Sequence, residues 1–194
     1  MAGRVGFGLG FDAGPGVGSN SGGINGLFGA LADIRFWLTE RLVLLPSFRL
    51  SVSQTETSLP AEDPEAPPKV YESSYQLFAP SLQAAYAVYR GDRTRFSLAG
   101  GASVGYSKSV DAQVPDPAFG VGPKVTEQEI LAFNLLAGFH IEQFLTRRMS
   151  LVAGVAAPLF AFSSIQTSDE PTSTTISSDL STTRLYGLFV LYTD

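Results

Sequence analysis

Apolar and polar residues alternate along much of this chain, and this alternation constrains its fold more than any other feature. In residues 28–38 every second residue is apolar, while the interleaved row carries Asp33 and Arg35. Residues 42–52 repeat the pattern, and their polar row includes Arg49. Side chains of a β-strand point to opposite faces in turn. Each segment is therefore predicted to be a strand with one hydrocarbon face and one charged face.

Eight such segments follow one another, and the connections between them are alternately long and short. The long polar connections are predicted at residues 14–24, 54–73, 110–125 and 164–182. This order brings the short turns and both ends of the chain to the same end of an antiparallel sheet. Strands of about ten residues can cross a bilayer. The pattern therefore predicts an all-β fold with a single domain over residues 1–194, an eight-stranded antiparallel up-and-down transmembrane β-barrel with short periplasmic turns and long extracellular loops.

Composition excludes several classes of protein. Cysteine is absent and histidine occurs once, as His140. Disulfides and cysteine nucleophiles are therefore ruled out, and neither a metal site nor a cofactor is expected. A net charge of −5 argues against nucleic-acid binding. The chain starts without a charged-then-apolar leader, so we expect that a signal peptide has been removed if the protein is exported.

Polar residues on the inward rows are predicted to share the lumen of the barrel. They are Asp33, Arg35, Arg49, Gln83, Arg95, Asn134, His140 and Glu142. Charges inside a narrow barrel must be paired or hydrated, so a structural salt-bridge plug is the first interpretation. A gate or narrow conduit is the alternative, because many other inward residues are glycine, alanine or serine.

Aromatic residues near the short turns are predicted to form an interfacial girdle. They are Phe36, Trp37, Tyr86, Tyr89, Phe144 and Tyr192. On the last strand, the row with Tyr186, Leu188, Val190 and Tyr192 is predicted to face outward. The main alternative for the whole fold is a soluble lipocalin-like barrel, in which the apolar rows would point inward around a ligand.

Charge is also sorted between the two ends. The short-turn end holds Arg41, Arg90, Arg93, Arg95, Arg147 and Arg148. The long connections and their flanks hold Glu56, Glu62, Asp63, Glu65, Glu72, Asp111, Asp116, Glu127, Glu129, Asp169, Glu170 and Asp179. These acids favour solvated loops over a divalent-cation site, because no loop has the D-x-D-x-D-G spacing of a calcium loop.

Two turn sequences, Trp37-Leu38-Thr39 and Phe144-Leu145-Thr146, resemble the aromatic-Leu-Thr turn of the OmpA-type small outer-membrane β-barrels. The last strand is similar to the assembly signal of that superfamily, with Gly187 followed by Val190 and Tyr192. The chain departs from the signal because it ends on Asp194 and not on an aromatic residue. The resemblance implies the outer membrane of a Gram-negative bacterium. Lipid, lipopolysaccharide and the barrel-assembly machinery would then be partners.

Three functions are compatible with these patterns. The first is a non-enzymatic barrel with a structural, adhesive or partner-docking role, in which an unknown protein partner binds the loops. The second is a narrow channel for small solutes or ions. The third is a lipid-modifying enzyme, for which His140 and Glu142 would be candidates. The third is disfavoured because no serine on their strand is spaced as a partner for His140.

Overall fold

The computed structural model describes residues 3–15, 26–59, 69–113, 124–168, 170–177 and 183–193. These residues form nine β-strands. They are β1 (Val5–Pro15), β2 (Gly26–Trp37), β3 (Leu42–Leu59), β4 (Lys69–Arg90), β5 (Thr94–Gln113), β6 (Lys124–Phe144), β7 (Met149–Thr167), β8 (Glu170–Ser177) and β9 (Arg184–Tyr192). None of the described residues belongs to a helix that could span a bilayer.

Eight of the strands close into a ring. Strands β1 to β7 pair in sequence order, β7 also pairs with β9, and β9 returns to β1, with every pairing antiparallel. Closure leaves the membrane-spanning part of the sheet without a free edge, which a bilayer demands because it offers no hydrogen-bond partners. The predicted eight-stranded up-and-down barrel is confirmed.

The ninth strand was not predicted. Strand β8 pairs with the upper part of β7, from Ala161 opposite Ser177 to Thr167 opposite Glu170, and lies outside the ring. Strands β3, β4 and β5 also extend into the predicted loops, to Leu59 on β3, from Lys69 on β4 and to Gln113 on β5. The sequence pattern missed these extensions because apolar and polar residues do not alternate regularly along them.

Two of the three short turns owe their shape to a threonine. Thr39 Oγ1 accepts hydrogen bonds from the backbone N–H groups of Arg41 and Leu42, at 3.1 and 3.0 Å. Thr146 Oγ1 accepts one from the N–H of Arg148 at 3.1 Å. A hydroxyl that satisfies the backbone in this way lets the chain reverse within a few residues.

The outer wall is apolar along the ring. Leu9 is 71% exposed, Leu82 57% and Leu98 54%. Exposed apolar residues occur on every strand of the ring. The soluble lipocalin-like alternative is therefore wrong, because it requires these rows to point inward.

Two strands present their faces in ways that the sequence did not reveal. On β7, Leu159 has no partner in the register with β6, and this bulge places both Leu159 and Phe160 on the outer wall.

On β9 the predicted outward row was wrong. Leu188, Val190 and Tyr192 are buried, and the exposed row is instead Leu185, Phe189 and Leu191. Both rows of β9 are apolar, so the alternation alone could not tell them apart.

Candidate functional site

Half of the predicted girdle lies inside the barrel. Trp37 is 1% exposed and Tyr192 is 5% exposed, and the partly buried Phe144 packs against the same inner cluster. The girdle prediction is therefore wrong for these three residues. They follow the period-two alternation of their strands, which nearness to a turn does not override. Phe36, Tyr86 and Tyr89 are exposed on the outer wall.

An ion cluster fills the short-turn half of the interior around Arg35. The Arg35 guanidinium donates to Asp33 Oδ2 from Nε and Nη2, at 3.1 and 3.0 Å. Its Nη1 lies 3.6 Å from Glu142 Oε1. All three side chains are buried. The bond to Asp33 joins two residues of the same strand, and the contact with Glu142 reaches across the barrel to β6.

Glu142 and Arg95 extend this cluster to the rest of the barrel wall. Glu142 Oε1 accepts a hydrogen bond from Ser150 Oγ at 2.6 Å and a short one from the Tyr192 hydroxyl. Glu142 Oε2 lies 3.9 Å from Arg95. The Arg95 guanidinium sits 4.0 Å from the centre of the Trp37 ring and 5.2 Å from that of Phe144. The inward aromatic residues therefore cover a buried cation.

A second ion pair lies nearer the long-loop end. Arg49 Nε is 2.6 Å from Asp12 Oδ2, and both side chains are buried. The lumen residues predicted from the sequence did not include Asp12. They did not include Arg184 either, which lies at the start of β9 and lines the same interior cavity. The available signal for Asp12 was the period-two spacing that puts it on the same row as Gly6, Gly8 and Gly10.

A cavity of about 60 Å³ separates the two ion clusters, and Asp12, Asp33, Arg35, Arg49 and Arg184 are among its lining residues. This volume suffices for a few water molecules. Gln83 also lines the cavity. Asn134 Nδ2 lies nearby in the wall and donates to Ser103 Oγ at 3.3 Å. The interior is therefore a polar chamber closed towards the short turns.

His140 is fully buried and lies opposite Ser97 in the register of β5 and β6. Neither ring nitrogen has a hydrogen-bond partner among the described residues, and Ser97 Oγ has none either. A hydrolytic histidine needs a nucleophile and an orienting acceptor within hydrogen-bond distance. The surroundings of His140 provide neither.

The outer wall changes character within one step of the register. Across β4 to β6, one row on the outer face is apolar or aromatic and consists of Phe78, Tyr106 and Leu131. The next row on the same three strands is polar and consists of Gln76, Lys108 and Glu129. On β3 the same step leads from Leu50 to the exposed Val52, so β3 stays apolar at this level. Lys108 Nζ lies 2.9 Å from Glu127 and 3.4 Å from Glu129. Charges on the outer face do not belong in hydrocarbon, so the wall leaves the bilayer between the two rows.

The closed ring and this boundary decide the class of protein. The chain is an eight-stranded transmembrane β-barrel.

Two solved outer-membrane β-barrels are similar to this barrel. Ail, the attachment invasion locus protein of Yersinia pestis, was crystallised with the heparin analogue sucrose octasulfate; it is 10% identical, with a TM-score of 0.48, over 99% of this chain and 97% of Ail. Neisserial surface protein A is 12% identical, with a TM-score of 0.43, over 97% of this chain and 94% of that protein. No protein-family model matches the barrel, and no curated protein does so. Its fold is established by its own ring of strands.

Proposed function

We propose that this barrel is a non-enzymatic protein of the Gram-negative outer membrane that docks a partner on the strands projecting beyond the bilayer. The observation that carries the proposal is the length of these strands. Strands β3 to β7 have 18 to 22 residues, whereas about 9 to 11 are enough to span a bilayer. The excess builds a wall that the membrane does not require.

Two strands of the wall each have a side along which no described strand pairs with them, and such a side suits strand addition by a partner. The described register of β2 with β3 ends at Ala30 opposite Leu50, so Val52–Leu59 of β3 has no described neighbour on that side. At the other end of the wall, β8 pairs with β7 alone among the described strands. Unpaired strand edges bind extended peptides through backbone hydrogen bonds. The acidic residues Glu56, Glu72 and Glu127 of the wall favour a partner with a basic surface.

The interior supports a scaffold over a channel. The layer of Trp37, Arg95, Glu142 and Tyr192 closes the short-turn end, and the remaining chamber is small. The lumen residues predicted from the sequence then act as a plug that stiffens the barrel. The enzymatic alternative has no support from His140, which is buried and forms no hydrogen bond with Ser97 or any other described nucleophile.

From the proposed location in the outer membrane we infer two kinds of partner. Lipid and lipopolysaccharide would surround the apolar wall, and the barrel-assembly machinery would recognise the last strand through Gly187, Val190 and Tyr192. In the folded barrel Val190 and Tyr192 face the interior. Recognition would therefore take place before the strand closes onto β1.

Attachment to cultured epithelial cells tests the docking surface. The full chain is displayed on a non-adherent Gram-negative strain beside two trimmed variants in which an Asn-Gly turn replaces part of the wall. The first variant lacks residues 54–74, which removes the β3 edge above Ser53 and Tyr75. The second lacks residues 110–127 from the middle of the wall and keeps both edges. We expect the first to lose attachment and the second to retain it.

Surface labelling and heat-shifted gel mobility confirm that both variants are folded and exported. Attachment that survives the loss of residues 54–74 would contradict docking at the edge. Steady single-channel conductance of the parent in planar bilayers would instead favour the channel.

A further inference from the structure

Arginine side chains surround the short-turn end of the barrel. Each of the three short turns and the N-terminal segment contributes at least one of them. They are Arg4, Arg41, Arg90, Arg93, Arg147 and Arg148, against the acids Glu40 and Asp92 among the described residues of this rim. In two of the turns the backbone is shaped by a threonine hydroxyl and not by an arginine side chain. The positive charge of this rim can therefore have another role.

Part of this rim forms a concave site. A pocket of about 340 Å³ lies between the β4–β5 turn, the β6–β7 turn and the N-terminal segment. Its cationic lining residues are Arg4, Arg90, Arg93, Arg95 and Arg147, and its one acidic lining residue is Asp92. Five positive charges less one negative charge leave a formal charge of +4 on the lining.

The arginines of the pocket differ in how far they are already occupied. Arg4 Nη2 donates to the backbone oxygen of Arg147 at 2.7 Å, and Arg90 pairs with Glu40 at 2.6 Å. Arg93 and Arg147 have no side-chain ion pair among the described residues. They come from two different turns and line the same pocket. Both guanidinium groups therefore line one pocket, and neither forms an ion pair with a described carboxylate.

We propose that this pocket binds a phosphate group between Arg93 and Arg147. A guanidinium presents planar pairs of N–H donors that match phosphate oxygens, and several such donors can share one tetrahedral anion. A single carboxylate would be satisfied by one of these two arginines and would leave the other without a counter-charge. The site is independent of the docking wall, which lies at the opposite end of the barrel.

The phosphate has two possible sources, a free phosphate compound or the headgroup of an anionic phospholipid. Leu145, which lines the pocket, is exposed, and so is Tyr89 near the end of β4. The exposed Tyr86 hydroxyl accepts a hydrogen bond from Arg41 Nη1 at 3.4 Å, at the same level of the wall. These contacts place the pocket at the height of the lipid headgroups.

Two matched double variants test the site. R93Q/R147Q removes the two pocket arginines, and R41Q/R148Q removes two arginines of the same rim that do not line the pocket. Binding of inorganic pyrophosphate to the folded full chain in a neutral detergent is measured by calorimetry. We expect R93Q/R147Q to raise the Kd about tenfold or more, and R41Q/R148Q to change it by less than about threefold.

A second experiment, with lipid, distinguishes a phospholipid headgroup from a free phosphate compound. The parent and both variants are placed in nanodiscs of equal parts phosphatidylglycerol and phosphatidylcholine, and native mass spectrometry measures the lipids that remain bound. Enrichment of phosphatidylglycerol that R93Q/R147Q abolishes identifies the lipid headgroup, and pyrophosphate binding without enrichment identifies a free anion. Failure of both ligands to bind would overturn the proposal. So would equal weakening by both double variants, or binding of a polyglutamate peptide but not of phosphate.

Discussion

Each of the three buried arginines of the described barrel lies against a carboxylate. Arg35 contacts Asp33 and Glu142, Arg49 contacts Asp12, and Arg95 shares Glu142. Arg95 also rests on Trp37. An isolated charge in such a place would carry a desolvation penalty of several kcal/mol, on the order given for buried ions. Because these ion pairs join different strands, they hold the strands of the ring together as well as filling the interior.

Replacement of Arg35 by alanine removes one cation from two carboxylates. Asp33 loses its guanidinium partner, and Arg95, at 3.9 Å, remains as the cation beside Glu142. We expect R35A to lower the free energy of unfolding by about 3 to 5 kcal/mol if the space stays dry. Urea unfolding in lipid vesicles measures the change, with the exposed R41A as the control. If water floods the space, conductance should appear instead, and a variant that matches the parent in both would contradict the plug.

The carboxyl group of Glu40 is exposed to water, so its pKa can be measured. A hydrogen bond from Arg90, followed by the charge of Arg90, lowers the pKa of Glu40 below its ordinary value of 4.5. The pair therefore stabilises the fold above that ordinary pKa, and its contribution is lost as the pH falls through the lowered pKa. Carbon-detected NMR of the Glu40 carboxyl should show the low pKa in the parent and a value near 4.5 in R90Q. An identical titration in both proteins would show that the contact is not kept in solution.

Strand β1 is the element on which closure depends most directly, because it meets both β2 and β9. Its inward row begins with Gly6, Gly8 and Gly10. A Cβ atom at Gly6 would press on Tyr192, and one at Gly10 would meet the backbone of Gly187. The row of glycines therefore allows the last strand to approach the first one closely.

Gly10 and Gly105 form a matched pair for this close approach. A Cβ atom at Gly10 would strike backbone, which cannot move aside, whereas one at Gly105 would touch only Ala79 Cβ at 3.9 Å. We expect G10A to destabilise the barrel by about 1 to 3 kcal/mol through overpacking, and G105A to have little effect. Urea unfolding compares the two. Equal stability of G10A and G105A would mean that the seam between β1 and β9 can widen.

The membrane boundary can be located with paired cysteines, since the chain has none of its own. Y106C and K108C differ by one step on the outer face of β5, and L131C and E129C do so on β6. We expect K108C and E129C to react with a water-soluble maleimide in intact cells, and Y106C and L131C to react only with a membrane-dissolved probe. Ready labelling of all four by the water-soluble reagent would place the bilayer lower on the wall.

At the scale of the whole molecule, an apolar wall separates a closed basic end from an open acidic wall of strands. The described acids beyond the membrane boundary include Glu56, Glu72, Asp111 and Glu127. The predicted acids Glu62, Asp63, Glu65, Asp116, Asp169 and Asp179 lie outside the described residues. The two ends of the barrel therefore differ in charge.

The apolar wall determines how the whole barrel behaves without lipid. We expect the purified chain to precipitate when detergent is diluted away, because residues such as Leu9, Leu82 and Leu98 would be exposed to water. Addition of phospholipid vesicles during the dilution should keep it dispersed. Sedimentation velocity after dilution provides the measurement. A monomer that stays soluble in plain buffer would mean that the apolar rows are covered.

The sequence by itself determined which segments are strands and, on most of them, which row faces outward. Alternation is a local property, so Asp33, Arg35, Arg49, His140 and Glu142 were all placed on inward rows. Alternation also held where it was overlooked, because Trp37 and Phe144 follow the inward rows of their strands although nearness to a turn suggested the girdle. On β9, whose two rows are both apolar, the local pattern contained no answer.

Only the tertiary structure decided which side chains meet and where strands end. The contact of Arg35 with Glu142 and the pairing of Asp12 with Arg49 join strands that are far apart in the chain. Such pairs depend on the stagger of the closed ring, which no single strand encodes. The bulge at Leu159 and the pairing of β8 likewise depend on a neighbouring strand. Local periodicity sets the face of a residue, whereas closure of the ring sets its partners.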